Sequence, residues 1–144
     1  MEASGIHLWL VLWKAYEAVR CHAVKHIHSL GLGFSDFAVL EALLHKGPTP
    51  VNTIGTLVHL TSGSITAAID RLERKQLVQR CANSTDRRAR VVHLTDTGRQ
   101  LIECAFADHE AALEEATRGL TPAERGEAVQ LLKKLGLAAC SLKN

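Results

Sequence analysis

The segment TSGSITAAIDRLERKQLVQRCANSTDRRARVVHLTDTG, residues 61–98, decides the fold. Its first half repeats apolar residues at near-helical spacing, directly after a Thr-Ser pair that is suited to cap a helix. In its second half, two short β-like runs at 77–82 and 89–94 flank the six-residue loop NSTDRR. Because such runs joined by a short polar loop are typical of a hairpin, the segment predicts a helix followed by two antiparallel strands.

Three further helices are predicted before this segment. Residues 6–29 form one long helix whose first half is apolar nearly all round, so it has to be covered on several sides, most simply by a second copy of the chain. The next helix, DFAVLEALLHK, has Ser35 as its expected N-cap and ends at Gly47, before a proline. The short third helix, VNTIGTLVHL, includes Leu57 among its apolar positions.

Two long helices are predicted after the segment. Thr95 is the expected cap of a helix at roughly 96–117. Thr121 and Glu124 form a capping box around a proline and open the last helix. The apolar stripe of that last helix contains Leu131, Leu132 and Leu135. The predicted order is α-α-α-α-β-β-α-α, which is a mainly α (α+β) fold class.

Composition and charge predict one folded domain with a single basic region. The chain has 144 residues, 47% of them apolar, so it can build a core and disorder is excluded. The net charge is only +2, but residues 61–100 carry eight Lys or Arg against four Asp or Glu, whereas residues 101–144 carry five against seven. A basic middle third is typical of a protein that meets an anionic surface with one patch.

The sequence also argues against several classes of protein. Its longest apolar run, residues 8–13, is far shorter than the ~18 residues that span a bilayer, so we expect a cytoplasmic protein without membrane contact. The four cysteines are widely spaced and are expected to be free thiols in a reducing compartment. The sequence lacks the P-loop, GxSxG and HExxH motifs, so we expect that the protein is not an enzyme and binds no cofactor.

The third and fourth helices with the hairpin after them have the layout of a helix-turn-helix with a wing. The fourth helix would enter the major groove of DNA by its N-terminus, where its hydroxyls meet phosphates and base edges. The hairpin tip would reach the neighbouring minor groove, whose negative potential suits the guanidinium groups of Arg87 and Arg88. Asp86 would then orient an arginine through a fork-like hydrogen bond. The candidate DNA-contacting residues are Thr61, Ser62, Ser64, Thr66, Arg71, Asp86, Arg87 and Arg88.

Four motifs in this order resemble the MarR family of bacterial transcriptional regulators. They are DRLE at 70–73, LVQR at 77–80, DRR at 86–88 and LTDTG at 94–98. Where this family commonly has glycine before the first wing strand, the chain has Gln76. Gln76 either adopts a left-handed conformation at a small cost or changes the turn, which affects the pose of the wing.

The resemblance implies a single domain over residues 1–144. Residues 30–98 would be the winged-helix DNA-binding lobe, and the helices in 1–29 and 99–144 would form a homodimer. The dimer would bind a pseudo-palindrome in double-stranded promoter DNA, usually as a repressor released by a small ligand or by oxidation. By position, Arg88 would enter the minor groove, and Arg71 would lie near Asp86 or a phosphate.

The signal that such a regulator would sense is less determined. Trp9, Trp13, Tyr16 and Phe37 could line a cavity for a small aromatic ligand between the dimer helices and the DNA-binding lobe, or they could simply be core. Cys21, next to an arginine, is the strongest of the four cysteines as a redox-sensing thiol.

The histidines do not by themselves predict a metal site. His22 and His26 lie four residues apart on one helical face, and a third ligand would have to come from His45 or His109. Solvated or interface histidines are the simpler interpretation, so no metal is predicted. The alternative function is a winged-helix module that binds proteins without DNA, although such a module has no need for an arginine-bearing wing.

Overall fold

A computed structural model describes residues 4–86 and 88–142. Within these residues every predicted helix and both predicted strands are present, which confirms the mainly α fold class, and one short strand is additional. The helices are α1 (Gly5–Ser29), α2 (Phe34–Lys46), α3 (Val51–Leu57), α4 (Ser62–Arg74), α5 (Asp96–Ala116) and α6 (Pro122–Ser141). The strands are β1 (Thr49–Pro50), β2 (Val78–Ala82) and β3 (Arg90–Leu94).

Threonine caps open three of the helices, as the sequence predicts. The hydroxyl oxygens of Thr61, Thr95 and Thr121 accept hydrogen bonds from backbone N–H groups at the starts of α4, α5 and α6, and Thr121 and Glu124 complete a capping box. The predicted Ser35 cap of α2 is wrong, because α2 begins one residue before it with glycine at the N-cap position. Ser35 thus lies in the first turn, where its hydroxyl is available to a neighbouring helix.

The sheet has the order β1-β3-β2 and is antiparallel throughout. Val78 of β2 pairs with Leu94, and Thr49 of β1 pairs with Val92. β1 escapes prediction from the sequence because it has two residues, one of them a proline, which confines it to an edge. It leads directly into α3 and so connects the base of the β2–β3 hairpin to the helix-turn-helix.

Two residues other than glycine adopt left-handed backbone conformations at turns that shape the lobe. Gln76 has φ 58°, so it takes the conformation that glycine would favour, and the turn before β2 is kept. His59, with φ 55°, lies between α3 and α4 and marks the end of the third helix, which is shorter than predicted. Each is disfavoured by about 1 kcal/mol relative to a right-handed conformation. Leu57, one of the apolar residues of the third helix, is 43% exposed near this turn.

The start of α5 packs tightly against the start of β2. Thr95 donates from its hydroxyl to the carbonyl of Gln76 and from its backbone N–H to the carbonyl of Leu77. A Cβ added at Gly98 would lie 1.9 Å from that same Leu77 oxygen. The glycine of the LTDTG motif is therefore required by the close approach of a backbone carbonyl.

One hydrophobic core lies between α2, α4, the hairpin and the first half of α5. The long helix α1 contributes only its C-terminal end to it, and α6 buries no side chain in the described residues. The core residues are Ile27, Leu32, Phe37, Val39, Leu40, Leu43, Ile54, Ile65, Ala68, Ile69, Leu72, Leu77, Val78, Val92, Ile102 and Ala105.

The N-terminal half of α1 and the length of α6 leave apolar side chains uncovered. Trp9 and Trp13 on α1, and Leu132 on α6, each expose about half of their surface. No single helix in the described residues is long and apolar enough to cross a bilayer, although α1 and α2, which meet at 88°, reach that length and composition as a pair.

Candidate nucleic-acid interface

Helices α3 and α4 form a helix-turn-helix in which α4 presents its N-terminus to solvent. Gly55 of α3 lies so close to α4 that an added Cβ would be 3.3 Å from Ile65 Cγ2. This contact fixes the two helices against each other. The first turn of α4 then offers free backbone N–H groups and the positive end of the helix dipole, which favour an anion such as a phosphate.

Four exposed hydroxyl residues stand at this N-terminus, and the structure distinguishes between them. The Thr61 hydroxyl caps the helix by accepting from the Ser64 N–H, and it donates to the Ser64 hydroxyl at 2.9 Å. Ser62 and Thr66 make no side-chain hydrogen bond with other described residues and remain available for phosphates or bases. The cap is thus Thr61, the first residue of the Thr-Ser pair that the sequence indicates.

The wing tip carries Asp86 and Arg88 in an exposed turn. Asp86 Oδ1 accepts from the backbone N–H of Arg88 at 2.9 Å and so fixes the turn, whereas the predicted bond was to an arginine side chain. The turn is closed further by the Asn83 side chain, which accepts from Thr85. The Arg88 side chain is thus left to solvent at the tip of the hairpin. The predicted contact of Arg87 falls outside the described residues.

Arg71 is engaged within the lobe by α2, whereas the resemblance implied a position near Asp86 or a phosphate. Its guanidinium donates to Asp36 Oδ1 at 2.7 Å and to the Ser35 hydroxyl at 3.2 Å, both on α2. Asp36 is only 3% exposed, so Arg71 supplies the charge that its burial requires. The hydrogen bond to Asp36 raises the pKa of Arg71. No local pattern indicates this pair, since its partners are 35 residues apart.

Arg80 is a second arginine that ties α4 to its surroundings, and it was not among the predicted site residues. It donates to Asp70 at 2.6 Å and to Glu73 at 2.5 Å from strand β2. Partial burial acts to lower the pKa of Arg80, but the hydrogen bonds to these two carboxylates outweigh it and raise that pKa. Its place within the LVQR motif was visible in the sequence, but the partner carboxylates emerge only from the packing of β2 on α4.

Several cations remain exposed at the C-terminus of α4 and on the wing. Arg74 donates only to the backbone carbonyl of Asp70, and Lys75 follows it at the C-terminus of α4. Arg90 stands beside Arg88 in the hairpin and lines a shallow depression of about 200 Å³ between the wing and the start of α3. Positive charge at two places on one face suits the backbone of a duplex.

The four predicted aromatic ligand residues do not share a cavity within one chain. Trp9, Trp13 and Tyr16 line an open cleft of about 360 Å³ along α1. Phe37 is buried and lines a separate cleft of about 260 Å³ where α1, α2 and α5 meet, together with Phe106 and His109. In the single chain the four side chains line two separate clefts, because Phe37 lies on α2 whereas the other three lie in the N-terminal half of α1.

A histidine pair closes one side of the second cleft. The Nδ1 atoms of His26 and His109 are 3.2 Å apart, so one ring carries the shared proton and the other accepts it. His109 is 7% exposed and packs edge-on against Phe37. Its pKa is lowered by burial and then by the neighbouring His26 and His22. The neutral form of His109 thus belongs to the folded junction.

The thiols and remaining histidines show no built site in the described residues. Cys21 is exposed, next to Arg20, which is itself paired with Glu17. His22 donates to the carbonyl of Ala112 on α5 instead of joining the pair. Within residues 4–86 and 88–142, no group of three or more His, Cys, Asp or Glu is arranged to hold a metal ion.

Comparison with known proteins identifies relatives that share this layout. The model of the MarR family matches residues 35–89, which run from α2 to the wing. The HTH-type transcriptional regulator MhqR of Bacillus subtilis (strain 168) is 40% identical over 144 residues, which cover 100% of this chain and 99% of MhqR.

Solved structures of similar fold include two of proteins that bind DNA. BpsR of Bordetella bronchiseptica, described with a mechanism for regulation of its DNA binding by 6-hydroxynicotinic acid, has a TM-score of 0.79 at 28% identity. The alignment covers 90% of this chain and 98% of BpsR. A mutant of MarR from E. coli, complexed with operator DNA, has a TM-score of 0.79 at 23% identity over 89% of this chain and 92% of MarR, which supports the fold alone.

Proposed function

The chain belongs to the MarR family of transcriptional regulators, and from this premise we propose that it is a repressor that binds a pseudo-palindromic promoter site as a homodimer. Its relatives are DNA-binding regulators and not enzymes, which disfavours the alternative of a protein-interaction module. The observation that carries the finer proposal is the combination of two DNA-facing features with long helices that leave apolar surface uncovered.

The two DNA-facing features fit adjacent grooves of one duplex. The N-terminus of α4, with Ser62 and Thr66, would enter the major groove, where hydroxyls can donate to or accept from phosphates and base edges. The wing would follow the backbone so that Arg88 enters the next minor groove. Thr61 and Ser64 would shape the helix start, and Arg71 would act through the orientation of α4 because its guanidinium is held by Asp36.

The second copy accounts for the uncovered apolar surface. The leucines of α6 at near-helical spacing stay exposed, α6 buries no side chain among the described residues, and α1 exposes two tryptophans. A monomer rarely leaves an apolar surface of this extent in water. We propose that α1, α5 and α6 of two copies cover each other, which would place two α4 helices in successive major grooves about 34 Å apart. A dimer seated across a promoter in the cytoplasm would exclude the transcription machinery.

A small ligand would act where the helices meet the DNA-binding lobe. The cleft beside Phe37, Phe106 and His109 is apolar with one imidazole, which suits a small aromatic compound with a polar group. A second copy would also cover the Trp9, Trp13 and Tyr16 cleft and could convert it into an enclosed pocket. Ligand binding, or oxidation at Cys21, would favour a spacing of the two lobes that does not fit DNA.

Selection of bound sequences from random duplex DNA by the purified protein tests the proposed function. We expect enrichment of an inverted repeat, and binding to it should weaken steeply with salt because several phosphates are neutralised. Repeating the selection with an oxidant and with small aromatic acids addresses the signal. Failure to enrich any sequence at low ionic strength would contradict the proposal.

The wing is tested by Arg88→Ala on the selected site. We expect a loss of about 1–3 kcal/mol in specific binding because the minor-groove guanidinium is removed. Arg118→Ala is the matched control, since Arg118 is an exposed arginine between α5 and α6 that pairs with Glu115. Equal affinities of Arg88→Ala and the wild type in a gel-shift assay would remove Arg88 from the interface.

A further inference from the structure

We infer that Arg80 is the positioning residue that holds the wing at a fixed angle to the recognition helix α4, so that the two can enter adjacent grooves together. This inference rests on the proposed function, because it concerns how the two DNA-facing features are kept in register. Arg80 lies on strand β2 of the wing but away from its tip, and it would act on DNA only through the orientation of the wing relative to α4.

Three hydrogen bonds join Arg80 to one side of α4. Its Nη1 donates to Glu73 Oε2 at 2.5 Å, and its Nη2 donates to Asp70 Oδ1 at 2.6 Å. Its backbone N–H donates to the other Glu73 oxygen, Oε1, at 3.0 Å. Main chain and side chain of one strand residue are thus both fixed to carboxylates one helical turn apart, and charge-assisted bonds of this kind define direction as well as distance.

Arg80 is the last described residue before the tip whose side chain is hydrogen-bonded to α4. The base of the hairpin is held by the buried Val78, and β1 pairs with β3 at Val92 and Val91, which lie opposite Arg80 and Cys81. Beyond Arg80, the side-chain hydrogen bonds of the described residues, such as those of Asn83 and Asp86, stay within the wing itself. β1 thus holds strand β3, whereas Arg80 links strand β2 directly to α4 and so sets the angle between the wing and that helix.

The exposure of the three side chains supports a positioning role over direct contact. The side chain of Arg80 is 21% exposed, whereas those of Asp70 and Glu73 are 52% and 39% exposed. The guanidinium is enclosed by its partners and has little surface left for a phosphate. Two carboxylates on a DNA-facing helix would repel the duplex, so Arg80 also neutralises them, and the test has to separate this electrostatic effect from positioning.

Hydroxyl-radical footprinting of the selected site, with wild type and Arg80→Met, is the test. Methionine keeps the aliphatic stem and removes both side-chain hydrogen bonds, to Glu73 and to Asp70. We expect R80M to lose protection of the flanking minor grooves while methylation protection of major-groove guanines remains. Added to the wild type, R88A should weaken binding about tenfold. Added to R80M, it should weaken binding less than about twofold, because the displaced wing no longer brings Arg88 to the minor groove.

Three further variants keep the inference falsifiable. R80M/D70N/E73Q removes the bare carboxylates, so restored flank protection would identify a purely electrostatic effect and overturn the inference. R80K keeps one charged donor, so it should retain part of the flank protection. It replaces R80M in the comparison if R80M is too unstable to purify. R99M removes an exposed arginine that pairs with Glu103 on α5 and should leave the footprint unchanged.

The outcomes separate this inference from the function on which it rests. A wild-type protein that protects no DNA would contradict the proposed function. A wild-type footprint that R80M reproduces in full, with R88A still weakening R80M about tenfold, would overturn the role of Arg80 and leave the proposed function intact.

Discussion

The DNA-facing lobe and the long helices α1 and α6 use the same kinds of residues in opposite ways. In the lobe, apolar side chains from α2, α4, α5 and the hairpin meet in one closed core. In α6 the leucines at helical spacing meet no other described part of the chain, and in α1 only the C-terminal end is buried. The lobe is thus complete within one chain, whereas the helices are complete only when something covers them.

Charged residues show the same contrast. In the lobe, ion pairs join elements far apart in sequence, as between Arg71 and Asp36. In the long helices the pairs are mostly between near neighbours, as between Arg20 and Glu17 three residues earlier. Long-range pairs specify a tertiary arrangement, whereas neighbouring pairs only add a few tenths of a kcal/mol to a helix. Ion pairs therefore help to fix the tertiary arrangement of the lobe, whereas those of the long helices do not fix how these helices pack.

The largest expected effect concerns the uncovered leucine stripe of α6. Leu132→Glu places a charge in the stripe of α6, which should be unfavourable by about 2 kcal/mol in each copy of a dimer, so roughly a thousandfold weaker dimerisation. Gln130→Glu adds the same charge on the opposite side of the same exposed helix. Sedimentation equilibrium of both variants should show dissociation only for Leu132→Glu. Equal dissociation constants would mean that this stripe is not covered.

The second-largest expected effect concerns the tight packing of α5 on β2 in the DNA-facing lobe. Gly98→Ala would place a methyl group against the Leu77 carbonyl oxygen, and the shift required should destabilise the lobe by about 3 kcal/mol. Gly136→Ala is the matched control, because nothing lies within 4 Å of a Cβ at that position of α6, where alanine is the better helix former. Urea unfolding would measure both. A Gly98→Ala protein as stable as wild type would contradict the tight packing of α5 on β2.

A smaller effect tests the long-range ion pair. Arg71→Met leaves Asp36 buried without its counter-charge and should lower the free energy of unfolding by about 1–2 kcal/mol, a moderate value because Arg71 is half exposed and solvent screens part of the loss. Arg74→Met, three residues further along α4, removes only a bond to a helix carbonyl. Thermal unfolding of both variants checks this, and similar melting temperatures would show that Asp36 does not depend on Arg71.

The smallest effect concerns the junction between the two regions. Because the pKa of His109 is lowered in the folded state, the unfolded chain binds the proton more readily. Stability should therefore fall as pH drops below the ordinary histidine value of about 6.5 and continue to fall until the folded-state pKa is passed. His109→Gln should flatten this dependence, whereas His59→Asn, at an exposed turn, should not. Melting temperatures at about pH 7.5 and 5.5 provide the measurement.

Much of the lobe could be predicted because its signals are local. Threonine caps at Thr61, Thr95 and Thr121 and the periodic apolar residues fix helix starts and faces within a few residues. At Gln76 the sequence left two alternatives, and the structure shows the left-handed conformation. The motifs around α4 and the wing then identify the family, as the comparisons confirm.

The remainder depends on contacts that no local pattern contains. β1 is a strand only because it pairs with β3. Leu57 is exposed because α3 ends at this residue. The partners of Arg71 and Arg80 are chosen by how α2 and β2 pack against α4. The clustered aromatic residues were candidates for one pocket or for the core, and Phe37 belongs to a different junction from the tryptophans of α1.

The stoichiometry of the complex with DNA tests the central claim most directly. Light scattering or mass photometry would be applied to the protein on a duplex that carries the selected inverted repeat. We expect two chains per duplex at every level of saturation, and the same dimer without DNA. A single chain that occupies one half-site with undiminished affinity would contradict the claim that a second copy completes this molecule.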